Sequence, residues 1–238
     1  MSVSVIMPVL APEVWQQNMS RIAIQQMRDC TSIPFELVMV EAAKERSPLA
    51  DLADKYVCRE FSKNPTSDIN VGIDAASGDC LIYIGNDIMV TPGWIEAMLE
   101  CFDRYKDCGA ATVSCSEPAG MVGSVTPLDQ IVEGMYGPIT MFQRGWKYDE
   151  AFPTMRADDD LIMRIYEAGY RSYRNLRVVC HHLWAQTWNT CYSERDRGQF
   201  RADADLLFRK RYAKSPLWMA KMILNGGVMF GREHEVRP

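Results

Sequence analysis

Short apolar, β-branched runs alternate with segments of helical period from the start of the chain to about position 115. Val3–Val9 is the first run, Phe35–Val40 the second, ending at Glu41, Tyr56–Phe61 the third, Leu81–Ile84 the fourth and Ala110–Cys115 the fifth. Between them, Glu13–Arg28 places Val14, Met19, Ile22, Ala23 and Met27 at helical spacing after Pro12, and Ser47-Pro48 opens a short helix over Ser47–Tyr56. Lys63–Ile69 reads as a polar loop, Ile69–Ala76 as a helix, and Trp94–Tyr105 as an amphipathic helix stopped near Gly109, with Trp94 a packing residue. Strands separated by helices cannot be joined by tight hairpins. The pattern therefore predicts an α/β fold: a mostly parallel sheet with right-handed crossovers and helices on its faces.

Beyond position 115 the regularity weakens. Ser116–Gly137 is rich in glycine and proline without a period and reads as a loop region facing a substrate. Pro138–Phe142 is strand-like, Asp160–Ala168 a helix ended by Gly169, Arg171–Cys180 a strand and Ser193–Tyr212 a charged helix, followed by the apolar, methionine-rich Ser215–Phe230. The 238 residues, 47% hydrophobic and 24% charged, suit one large core with a helical C-terminal tail. A net charge of −5 argues against nucleic acid as a partner. The eight cysteines form no CxxC pair, and Cys180, His181, His182 and Cys191 lack zinc-finger spacing, so reduced thiols and a cytoplasmic setting are expected. Residues 1–10 carry no basic leader, and no run reaches the ~18–20 apolar residues that cross a bilayer.

Chemistry gathers at three places. The run Leu81–Ile84 breaks into Gly85-Asn86-Asp87, which delivers a carboxylate to the C-terminal edge of a buried strand, where open α/β sheets bind ligands. Asp158-Asp159-Asp160 puts mutually repelling acids together, more than a helix N-terminus needs for capping or dipole compensation. His181-His182 follows the run Val178-Val179-Cys180, and strand alternation lets only one of the two face a site; His181, directly after the run, is the expected one. Together they suggest a divalent cation on Asp87 and His181 beside a general base, Asp158 before Asp159. Asp160 with Arg164 one turn on reads as a structural ion pair.

Over roughly residues 3–185 the order of these pieces resembles glycosyltransferase family 2, inverting sugar transferases of the GT-A fold. Four patches carry the resemblance. They are Ser2–Val9, Glu36–Glu41, Asn70-Val71-Gly72-Ile73 leading through Ala76–Asp79 to Gly85-Asn86-Asp87, and Asp158–Leu161 with Arg164, Gly169, Tyr170 and His181. The resemblance implies a nucleotide-diphosphate sugar donor, a glycan, protein or lipid-linked acceptor, and Mn2+ or Mg2+ against the leaving diphosphate. It implies a nucleotide-binding half of about 1–115, an acceptor half of about 116–190 and a helical extension over 191–238. Donor contacts are expected from Pro8, Val9, Glu41, Asp68, Asn70 and Asn86. Departures are visible too: Gly85 and Ala157 stand where the family carries acids, and Ala42 follows Glu41 where a second acid is usual. These departures keep open a catalytically degenerate sugar- or nucleotide-binding module. A sugar-phosphate nucleotidyltransferase ranks lower, because the glycine- and arginine-rich loop of such enzymes is absent after the first strand. The tail, Arg201–Phe230, mixes basic and apolar residues and suits docking on its own domain, on a second copy, or on an anionic membrane.

Overall fold

The computed structural model describes residues 1–61, 63–116, 127–134, 137–183 and 190–215. Most of the expected loop region after Ser116, and the tail after Ser215, lie outside them. Strands β1 (Val3–Val9), β2 (Phe35–Ala42), β3 (Lys55–Arg59) and β4 (Cys80–Ile84) run parallel in the order β3-β2-β1-β4. The sheet continues through β8 (Ile139–Gln143), antiparallel to β4, then β6 (Cys108–Ser116) and β9 (Arg171–His182). Two short strands, β5 (Ile88–Met89) and β7 (Ile131–Glu133), pair antiparallel with β9. The chain thus forms the mixed, mostly parallel α/β sheet that the alternation predicts.

Strand alternation divides the core into two layers. Val3, Val5, Met7 and Val9 face one side, where they meet Ala23, Ile24 and Met27 of α1 (Val14–Asp29) and Trp94, Ile95 and Met98 of α3 (Trp94–Arg104). Ile6, Val38, Leu81 and Phe142 face the other, against Ile69 and Ile73 of α2 (Pro65–Ala75) and Leu161 and Ile165 of α4 (Ala157–Glu167). Ala204, Phe208 and Tyr212 of α5 (Glu194–Tyr212) join that second layer. Trp94 is a packing residue, fully buried with its indole N–H donating to Met27 O at 3.3 Å.

Several boundaries differ from the sequence reading. Ser47–Tyr56 forms only a 3-10 turn at Ala50–Leu52, because its second half is drawn into strand pairing: Asp54 accepts from Leu37 N at 2.7 Å and Tyr56 is in register with Met39. Lys63–Ile69 is mostly helix, since Asn64 caps α2 by accepting from Ser67 N at 3.1 Å and Pro65 occupies the first turn, where its missing N–H costs nothing. Helix α4 starts at Ala157 rather than Asp160, so all three acids lie in its first turn.

Candidate active site

The ends of β1 and β4, the start of β8, the first turn of α4 and the end of β9 enclose a cleft of about 560 Å3. It lies at the C-terminal edge of the parallel strands, as expected for an open α/β sheet. Beyond Ile84 the chain turns, Ile88 N donating to Gly85 O at 3.2 Å, and Gly85 N donates across to Pro138 O at 3.1 Å. This turn buries Asp87, whose Oδ2 lies 3.4 Å from His182 Nε2. The backbone clamps the same pair, Leu183 N donating to Asp87 O at 2.9 Å.

His182 therefore faces the cleft, and His181 does not. Strand β9 runs on past Cys180 and pairs His181 with Met89 and His182 with Ile88, so alternation continues through both residues. His181 is exposed, its Nδ1 2.6 Å from Ser116 Oγ. Of the two histidines, His182 rather than the expected His181 is the one on the cleft.

The three acids of α4 take separate directions. Asp158 faces the cleft against Gly137, where a Cβ would sit 1.6 Å from its Oδ2; the close approach requires glycine there. Burial raises its pKa, opposed by amide N–H groups of the helix start and by Arg156. Asp159 accepts from Arg156 Nη1 at 2.7 Å. Burial and then the neighbouring Asp158 charge push it up to about 7 against the pull of Arg156. Asp160 is fully buried and accepts from Arg164 Nε at 2.8 Å, Arg211 Nη1 at 2.6 Å and the Tyr212 hydroxyl at 2.7 Å. The expected Asp160–Arg164 ion pair is present, joined by two groups from α5. Tyr83 sits in the same cleft, and burial, then the charges of Asp158 and Asp87, raise its pKa and keep its hydroxyl protonated.

Among the expected nucleotide contacts, Pro8, Val9, Asp68 and Asn86 line the cleft. Asn86 is anchored to α1 through Ser20 Oγ at 3.1 Å. Burial pushes Asp68 up to about 6, with the Arg59 charge opposing. Glu41 and Asn70 lie elsewhere. Glu41 accepts from Ser47 Oγ at 2.6 Å and the Tyr56 hydroxyl at 2.8 Å, beside a smaller recess of about 330 Å3. Asn70 is consumed structurally: its Nδ2 donates to Tyr148 O at 2.9 Å and its Oδ1 accepts from Tyr148 N at 3.0 Å, pinning α2 to the segment before α4. Sequence reasoning also missed Arg156, Gly137, Tyr83 and Thr154, whose buried Oγ1 has no protein partner among the described residues.

Residues 17–163 match the model of Glycosyl transferase family 2. The chain belongs to this family. No curated protein sequence matches this family 2 chain. Its fold is GT-A, shared with TarS of S. aureus at 12% identity and a TM-score of 0.62, over 91% of this chain and 44% of that one. TarS 1–349 of S. aureus in complex with UDP gives 13% identity and a TM-score of 0.60, over 90% of this chain and 73% of that one. GalNAc-T7 with UDP, GalNAc and Mn2+ gives 13% identity and a TM-score of 0.61, over 77% of this chain and 44% of that one. The family 2 chain thus spans under half the length of full TarS and of GalNAc-T7.

In this family 2 cleft the acids Asp68, Asp87, Asp158 and Asp159 meet only Arg156 and His182 as basic lining residues among the described ones, and Arg156 already pairs with Asp159. No group of at least three His, Cys, Asp or Glu side chains among the described residues encloses a metal. One carboxylate and one imidazole fit a hard or borderline cation that takes its remaining ligands from phosphate oxygens and water. The donor set suits Mn2+ or Mg2+ and forms no closed cage among the described residues.

Proposed function

We propose that this chain is an inverting glycosyltransferase, moving a sugar from a nucleotide-diphosphate donor to an acceptor hydroxyl with Asp158 as general base. The observation that carries the reading is the convergence of Asp158 with the Asp87–His182 pair on one cleft. Asp158 takes the acceptor proton as the oxygen attacks the anomeric carbon; the bond from that carbon to the diphosphate oxygen breaks, and configuration inverts. Burial suits Asp158 to the task, because a raised pKa makes it a stronger base than a surface aspartate. Asp159 is held by Arg156 and Asp160 by Arg164, Arg211 and Tyr212, which leaves one carboxylate of the triplet for the substrate and favours a single displacement. Asp87 and His182 would hold Mn2+ or Mg2+, which when bound neutralises charge growing on the departing diphosphate. Pro8, Val9, Asp68 and Asn86 wall the donor side. The acceptor is a glycan, protein or lipid-linked hydroxyl.

Gly85 and Ala157 support a second reading, a module that binds a nucleotide sugar without turnover. A panel of nucleotide sugars with Mn2+ separates the two. Donor hydrolysis that is lost in Asp158→Asn, while nucleoside diphosphate still binds, supports the enzyme; binding without hydrolysis or transfer for any donor supports the module. An α-linked donor giving a β-configured product by NMR establishes inversion.

A further inference from the structure

Arg156, immediately before α4, adopts a left-handed backbone conformation with φ of 67°. For a large side chain this conformation is strained and persists only where surrounding contacts enforce it. Those contacts come from two helices. The guanidinium donates from Nη1 to Asp159 and from Nε to Asp205 of α5, each at 2.7 Å, and lies over the Phe208 ring at 6.0 Å. A planar fork engaged on two sides fixes its own rotation, which a flexible ammonium would not do. One turn further along, Arg211 bridges Asp149 and Asp160 at 2.6 Å each, and the Tyr212 hydroxyl reaches Asp160 at 2.7 Å. Helix α5 thus holds Asp160 directly and Asp159 through Arg156, although it lies wholly beyond the family-matched residues 17–163.

We propose that α5 is a working part of the site and that Asp205 is a positioning residue: through Arg156 it sets the rotation of the first turn of α4 and so aims the Asp158 carboxylate into the cleft. The inference rests on the reading of Asp158 as the base. Asp205 touches no substrate and acts only through Arg156. Asp203, on the exposed face of the same helix and bonded to Gln199 at 2.8 Å, supplies the control.

The test compares the full chain with Asp205→Asn, Asp205→Glu and Asp203→Asn by two readouts. The first is the carboxyl carbon NMR signals of Asp158 and Asp159 in the ligand-free protein. The second is donor hydrolysis with the dissociation constant of the nucleoside diphosphate. Asp205→Asn is expected to move both carboxyl signals and to lower kcat by about tenfold or more, as misplacement of a reacting group does. Nucleoside diphosphate affinity stays within about twofold, because the lost interaction is realised only in the transition state. Asp205→Glu restores much of both effects and Asp203→Asn shows neither. Unmoved carboxyl signals, or moved signals with kcat within about twofold of the parent, overturn the proposal. If the parent hydrolyses no donor, the reading of Asp158 as base fails by itself and the carboxyl signals alone decide whether α5 orients it.

Discussion

A Cβ on Gly137 would lie 1.6 Å from Asp158 Oδ2, so alanine there must turn the carboxylate out of place while leaving the sheet intact. Gly137→Ala is expected to reduce kcat of donor hydrolysis about a hundredfold, the scale of a misplacement near 1 Å, with a melting temperature close to the parent's. Protonation gives an independent check. Burial and the Asp158 charge push the Asp159 carboxyl up to about 7 in the folded chain against about 4 when unfolded, so across that window the folded chain holds the extra proton and stability falls as pH rises. Asp159→Asn should flatten the fall of melting temperature between those pH values; an unchanged slope would show that Asp159 does not hold that proton. On the proposal that Asp158 is the base, and so acts only when ionised, activity runs the opposite way: kcat should climb with pH through a midpoint above the ordinary aspartate range. Asp87 and Asp158 were legible in the sequence, because one interrupts an apolar run and the other belongs to an acid cluster that capping does not explain. His182 was not, because the apolar run suggests a strand ending at Cys180 whereas pairing with β5 carries it two residues further. Gly137 and Arg156 carry no local signature; their roles arise from contacts with Asp158 and with α5.

At the scale of elements, α5 is held by packing as well as charge. Phe208 is fully buried, edge-on to Phe152 at a centroid distance of 6.1 Å. Phe208→Ala should cost about 3–5 kcal/mol by denaturant unfolding, the range for emptying an aromatic core position. A loss below about 1 kcal/mol would mean that α5 is only loosely applied. The existence and type of the long elements were readable from period alone. The misreadings concern short segments that answer to partners elsewhere: Ser47–Tyr56 surrenders its second half to pairing with β2, and α2 begins early because Asn64 and Pro65 together form a better start than a loop.

For the molecule as a whole, the proposed cation with two protein ligands and a diphosphate that needs a cation would depend on each other. Mn2+ alone should leave the melting temperature almost unchanged, whereas Mn2+ with a saturating nucleoside diphosphate should raise it by about 5–10 °C. His182→Ala and Asp87→Ala should each abolish the Mn2+-dependent part and His181→Ala should keep it; equal effects of the two histidine variants would contradict the strand geometry. Alternation of strands and helices announced a parallel sheet, yet it was silent on the direction of β8, read only as the strand-like run Pro138–Phe142, which enters antiparallel between β4 and β6. That insertion bears on biosynthesis. Every residue of β4 from Cys80 to Ile84 pairs with the stretch from Gln143 back to Ile139, so a nascent chain that has emerged only as far as β6 presents an apolar strand with one side unpaired. The first half of the polypeptide should therefore aggregate when made alone, and on the ribosome it should need shelter until β8 has left the exit tunnel.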